Sequence, residues 1–324
     1  MLRIFRQNAL LQLIIILMVG LGLWMPSFLN PAEMESMGGT PLYDLIYNWL
    51  SPHPLLAAVI AFVLVLEEGW LLNLALYRHK ITSQNTLLPM FVYVCLMSHG
   101  GEALTLSPMI LVNIMVIGSV SEMMVPDTLT VHQDQILRSA TFASLASLFY
   151  LPALLLLVPL VIAFVVNSLY RWRHWVLLLL GFVAPYIVVF TVCFLNDRLT
   201  YSFYLMRSML MDFSFTRLIL PDSVWGYIAQ IGTLLLVMVS LVNLVSTINE
   251  HTTMYRVNIT TVCLPMVAGL LMLGFDSLFV VNLQLIALSA AAMVAVYLLE
   301  SNPTSKRKVI TYDIIFLLII LLQF

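Results

Sequence analysis

Two consecutive carboxylates, Glu67 and Glu68, stand inside the run Leu55 to Leu76, which is otherwise almost wholly apolar. If that run is a helix in lipid, rising about 1.5 Å per residue, Glu68 lies about 15 Å from Arg78 and near the middle of a hydrocarbon layer roughly 30 Å thick. An ionised carboxylate there costs on the order of 2.5 to 3.5 kcal/mol on insertion scales, so it must face the bundle interior, take a partner or hold a proton. Adjacent helical residues project about 100° apart, so one acid faces a polar cavity while the other meets a neighbouring helix. The chemistry this offers is proton-linked transport or substrate binding. In the competing arrangement the helix tilts or ends near Val65, Gly69 and Trp70 lie at the interface, and both acids reach cytoplasmic water.

A second set of reactive side chains falls in the connecting segments. Glu33, Glu35 and Asp44 precede the second apolar run, His99 and Glu102 lie in Ser98 to Ser107, Asp276 comes late, and Arg198, Arg207 and Arg217 share one long loop. Acids on one loop and arginines on another suit transfer from a lipid phosphate. Glu33, Glu35 or Asp44 would take the proton from an acceptor hydroxyl, while the arginines, with His99 and Glu102, would hold the phosphate or diphosphate substrate. The blander reading has the acids solvating a surface and the arginines resting on lipid phosphates. The arginines lie nine and ten residues apart, so one continuous helix would not bring them to a single face.

The elements that must position these groups follow from composition. Of 324 residues, 62% are hydrophobic and only 9% charged, with mean hydropathy +1.02, which is outside the range of soluble domains. The formal net charge of −2 leaves no basic face for nucleic acid. Apolar runs fall at Ala9–Met25, Leu55–Leu76, Leu87–Met97, Pro108–Val120, Ala140–Tyr150, Pro152–Leu169, Trp175–Leu195, Val224–Val245, Ile259–Gly274, Leu278–Leu299 and Ile314–Phe324. The expected fold is therefore all-α, a polytopic transmembrane bundle of ten or eleven spans forming one integral membrane domain over residues 1–324.

Lys and Arg set the direction of threading. If each run crosses once, Arg3, Arg6, Arg78, Lys80, Arg138, Arg171, Arg173, Arg256, Lys306, Arg307 and Lys308 share one side, eleven of the fourteen basic residues. That side is the cytoplasm, which places the amino terminus inside a bacterial inner membrane. The first run is long and Pro-Ser-Phe-Leu-Asn-Pro after it lacks a small-residue cleavage pattern, so it reads as an uncleaved helix. The outer segment Pro41–Leu50 has the spacing of an amphipathic helix lying along the surface. Ser107 followed by Pro108 reads as a helix N-cap and first turn, and Pro185 and Pro265 predict kinks.

The remaining polar residues within runs, Asn73, Asn113, Asn167, Asn282 and Gln284, read as helix-to-helix hydrogen bonds worth about 1 kcal/mol each. Cys95, Cys193 and Cys263 have no metal spacing and read as small core hydrophobes. The 19 methionines read as packing filler. No phosphate loop, nucleophile elbow or His-Glu-x-x-His motif is present, and no cofactor is implied.

The stretches Ser107-Pro108-Met109-Ile110-Leu111-Val112-Asn113, Ala143 to Leu154 and Gly181-Phe182-Val183-Ala184-Pro185-Tyr186 resemble a family of Bacteroidota inner-membrane proteins over the span order to about Asn196. No functional residue carries over from that resemblance. The layout of many short spans with an amphipathic outer helix also resembles polytopic glycosyltransferases and polysaccharide polymerases that use polyprenyl-phosphate sugars. That likeness implies lipid-linked glycosyl transfer in cell-envelope biogenesis, with a polyprenyl-phosphate-linked sugar as partner. Two other classes fit the same residues: a non-catalytic scaffold subunit of an envelope machine, and a proton-linked transporter using Glu67 and Glu68.

Overall fold

A computed structural model describes residues 9–34, 40–82, 86–98, 104–125, 132–197, 200, 203–204, 207, 224–272 and 279–300. Among them every regular element is helical: α1 (Ala9–Leu29), α2 (Pro41–Leu50), α3 (Pro54–Arg78), α4 (Leu88–Met97), α5 (Pro108–Met123), α6 (Gln133–Phe149), α7 (Leu157–Val166), α8 (Trp172–Leu195), α9 (Val224–Thr247), α10 (Thr253–Cys263), α11 (Pro265–Met272) and α12 (Phe279–Glu300). Short 3-10 turns occupy Leu151–Leu156 and Ile248–Glu250. The all-α bundle expected from composition is what forms. Five stretches are long and apolar enough to cross a membrane: Ala9–Leu29, Pro54–Arg78, Trp172–Leu195, Gly232–Glu250 and Thr253–Met272.

Several helix limits differ from the apolar runs, each for a local reason. Helix α1 runs on through Pro26, because a helix tolerates proline where neighbouring structure and the last turn absorb its missing N–H. Helix α6 starts at Gln133, well before the apolar run at Ala140, since the Gln135 side chain accepts the His132 backbone N–H at 2.8 Å and stabilises a polar first turn. Pro152 replaces a continuous helix with a 3-10 turn ahead of α7. The two expected kinks part company, for Pro265 separates α10 from α11 while Pro185 stays inside an unbroken α8.

Ser107 occupies the N-cap position of α5 with Pro108 in the first turn, as the sequence indicates, but its hydroxyl does not cap. It donates to Gln284 Oε1 on α12 at 2.8 Å, so a tertiary contact takes the group that the local pattern assigns to the helix end.

Helices α3, α4, α5 and α12 form the centre, each touching at least two of the others, while α5, α6 and α8 continue as a layer to one side. Close approach depends on glycines. A Cβ on Gly181 of α8 would lie 2.6 Å from the Leu137 carbonyl oxygen and 2.9 Å from Ala140 Cβ on α6. In α8 the sole fully buried residue is Gly181; Leu177, Leu178, Phe182 and Tyr186 are half-buried on the same side, and Leu179, Leu180, Ile187 and Val188 are exposed. On α2, Tyr43 and Leu50 are buried whereas Leu45 and Trp49 are 68% and 69% exposed, so the helix packs one face on the bundle and turns apolar side chains outward on the other.

Contacts between helix ends agree with alternate threading. Gln12 near the start of α1 accepts the Leu87 N–H before α4 at 2.8 Å, and Trp24 near the other end donates to Ser98 Oγ after α4 at 3.0 Å. Tyr43 donates to the Leu106 carbonyl at 3.0 Å, joining α2 to the segment before α5. At the opposite end Asn258 Oδ1 accepts the Val125 N–H at 2.7 Å while its amide donates to the carbonyls of Val125 and His79 at 3.2 and 3.4 Å. Every one of these pairs joins ends to which the sequence assigns the same side.

Candidate functional site

Helix α3 divides its two acids. Val65, Glu68, Leu72, Ala75 and Leu76 recur at helical spacing and are buried, so the side chain at 68 projects into the bundle with 0% of its surface accessible. Glu67, about 100° away around the helix, is exposed with Val63 and Trp70. Both acids therefore do not share one watery corner, and the competing arrangement of a helix ending near Val65 does not form, because α3 continues unbroken to Arg78.

The partner of Glu68 comes from α4. Gly69 makes room for it: a Cβ there would lie 3.0 Å from Met90 Cγ and 3.3 Å from the Met90 carbonyl oxygen, so the two helices touch at this point. One turn beyond Met90, Tyr93 reaches across and its hydroxyl donates to Glu68 Oε2 at 2.6 Å. Asn113 on α5 completes the set, with Nδ2 at 3.1 Å from the Tyr93 hydroxyl and 3.3 Å from the Gln284 carbonyl oxygen of α12. A backbone carbonyl only accepts, which fixes the Asn113 amide as donor. The Tyr93 oxygen then receives from Asn113 and its single proton goes to Glu68, giving one polarity, Asn113 to Tyr93 to Glu68.

Two acceptors at the ends of this chain are left over. Glu68 Oε1 and Asn113 Oδ1 are buried without a hydrogen-bond partner. Among the described residues no Lys, Arg or His forms an ion pair with Glu68. A carboxyl group in this setting can bind a proton or a small cation, because such a ligand satisfies the free oxygen and cancels the charge. Beside the site lies Met97, whose sulfur is 3.8 Å from Asn113 Nδ2, and Val65, Met109 and Val112, one turn or less along α3 and α5 from Glu68 and Asn113, are wholly buried.

The outer groups are placed less closely. Glu33 and Arg207 are both exposed, and no ion pair joins them among the described residues. Asp44 is partly buried on α2 beside Tyr43. Glu35, His99, Glu102, Arg198, Arg217 and Asp276 lie outside the described residues. No group of three or more His, Cys, Asp or Glu among the described residues could hold a metal. A cavity of about 30 Å³ lined by Val116, Ser119, Met123, Ala143, Leu160 and Pro265 has room for a water or two and no larger solute.

Sequence reasoning picked out Glu68 but missed its partners. Asn113 reads as an ordinary helix-to-helix contact, and Tyr93 gives a faint signal as the one phenol in an aliphatic run, away from the membrane surface where Tyr usually concentrates. Asn73 is buried with its Oδ1 unpartnered, one turn along α3 from Gly69. In comparisons with known proteins, no family model, no curated protein and no solved structure matches the chain, so the reading of this site rests on its own geometry.

Proposed function

We propose that the chain carries out proton-linked transport across the membrane, with Glu68 as the group that binds the coupling proton. The observation that carries this is a fully buried carboxyl, on a helix long enough to span, that keeps one oxygen free and, among the described residues, forms no ion pair. A neutral carboxylic acid is tolerated in a dry bundle, whereas the ion requires water or a counter-charge. Taking up or losing one proton at Oε1 therefore biases the packing of α3 against α4 and α5, the helices that Tyr93 and Asn113 tie together. Proton binding on one side and release on the other, with a solute bound in only one of the two packings, makes the cycle a coupled one.

The test uses the full chain in proteoliposomes holding a pH-sensitive dye. Sugars, amino acids and small organic acids are added in turn under an imposed pH gradient. Solute-dependent proton movement is expected with the native chain and lost with Glu68→Gln. Movement that persists unchanged in Glu68→Gln, or none with any of these classes, counts against the proposal.

A second reading, lipid-linked glycosyl transfer at the outer face, draws support from the Tyr43 hydrogen bond to Leu106, which holds Asp44 on α2 close to the segment before α5. In that reading Asp44 takes the acceptor proton. Loss of polyprenyl-phosphate sugar turnover in Asp44→Asn with retention in Glu68→Gln would favour it over transport.

A further inference from the structure

Glu67 faces away from the bundle, and its surroundings give it a different task from Glu68. Thirteen residues of α3 precede it and eleven follow, so it sits at the middle of a helix apolar and long enough to cross a membrane. Leu56, Val59, Val63, Trp70 and Tyr77 are exposed at spacings of three, four and seven that include Glu67, which makes a single straight face. Apart from the acid, that face is aliphatic or aromatic, as lipid contact requires. Among the described residues no hydrogen bond or ion pair reaches Glu67. Ionisable groups within spans almost always face a bundle interior or pair with another group, so a lone carboxylate on the lipid-facing stripe is a contact awaiting its complement.

We infer that this stripe of α3 is the docking face for a transmembrane helix of another protein that carries Lys or Arg at mid-span, paired with Glu67. Charge complementarity selects that occupant. Among the described residues a second copy of this chain supplies no cation at mid-span: Arg78, Arg171, Arg173 and Arg256 stand within about a turn of a helix end, and Arg138, placed further inside α6, is already engaged by Glu122 and Asp134 at 3.0 Å each. In lipid the alternative for both charges is exposure to hydrocarbon, which makes mutual neutralisation the favourable state. The β-branched Val59 and Val63 form a low, stiff surface beside the acid on which a second helix can lie, with Trp70 as a ridge on the far side. The inference stands apart from whatever Glu68 does.

The experiment places a photoreactive amino acid at Val63, and separately at Trp70, in the full chain within its native membrane. The adduct is mapped by mass spectrometry. The expected product joins α3 to a span of a different protein with Lys or Arg within about one turn of the cross-link. Its yield falls about tenfold in Glu67→Leu and returns when Glu67→Lys is combined with an acid in place of the partner's basic residue. Because Glu67 is exposed, the Glu67→Leu chain keeps its fold, which an unchanged thermal transition verifies. Adducts to lipid alone, to a second copy, to this chain's own carboxy-terminal residues or to a span without a basic residue overturn the inference, as does an undiminished yield in Glu67→Leu.

Discussion

Glu67 and Glu68 follow one another on α3, yet the first is exposed on the outer face of the bundle and the second has no accessible surface, its Oε2 held by the Tyr93 hydroxyl at 2.6 Å. The roughly 100° step of the helix separates two identical side chains into a buried carboxyl and an outward-facing one. Substitutions at the two positions should accordingly act through different contacts, those at 68 on the hydrogen bond to Tyr93 and those at 67 on the outer face.

Tyr93→Phe removes the hydroxyl that joins Glu68 to Asn113, leaving Glu68 Oε2 without its donor and the Asn113 amide with only the Gln284 carbonyl and the Met97 sulfur. The expected cost is about 1 to 3 kcal/mol. Glu68→Gln should cost less, since its amide oxygen can still accept from Tyr93. Thermal denaturation of Tyr93→Phe, Glu68→Leu and the double variant, in one detergent, should show coupling of about 0.5 to 3 kcal/mol, because each single change removes the hydrogen bond. Strict additivity would mean that the hydrogen bond contributes nothing.

Three glycines should rank by what their added methyl meets. Gly181→Ala drives a Cβ into the Leu137 carbonyl oxygen at 2.6 Å, a backbone atom that cannot step aside without moving α6. Gly69→Ala meets the flexible Met90 side chain at 3.0 Å and its carbonyl oxygen at 3.3 Å, whereas Gly118→Ala meets only the Phe142 ring at 3.3 Å. Losses of stability, about 1 to 3 kcal/mol for the tighter sites, should follow the order 181, 69, 118. Gly69→Ala should also push Tyr93 away from Glu68, so that adding Tyr93→Phe to it costs less than in the native chain.

Asn258 fastens three chain segments at one end of the bundle, and its loss strands the Val125 N–H that it accepts at 2.7 Å. Asn258→Ala should cost about 1 to 3 kcal/mol. Asn258→Asp should cost more, because a carboxylate oxygen would then face the carbonyls of Val125 and His79 where the amide now donates. The same melts read both, and an Asp variant as stable as the native chain would contradict this contact.

Single cysteines at Leu45 on α2 and at Glu250 after α9, in a chain whose Cys95, Cys193 and Cys263 have been replaced, report on threading. Both positions are exposed. A membrane-impermeant maleimide should label position 45 in intact spheroplasts and position 250 only after permeabilisation. Labelling of position 250 but not 45 before permeabilisation would reverse the assignment of sides, and labelling of both would break the alternate threading on which it rests.

Hydropathy and its spacing were enough to determine an all-α bundle with long apolar helices, the helix at Pro41–Leu50 and the suspicion that attaches to an acid pair in an apolar run, because these are properties of composition and period. Helix limits at Pro26, Gln133 and Leu151 needed more, since they depend on side chains that satisfy or forfeit particular backbone groups. Which acid turns inward, that Ser107 bonds Gln284 in place of its own helix, and that Tyr93 and Asn113 reach Glu68 were decided only by tertiary packing. Residues 25 and 20 positions apart in the chain meet there because Gly69 lets two helices touch, and no local pattern encodes the rotation of one helix against the next.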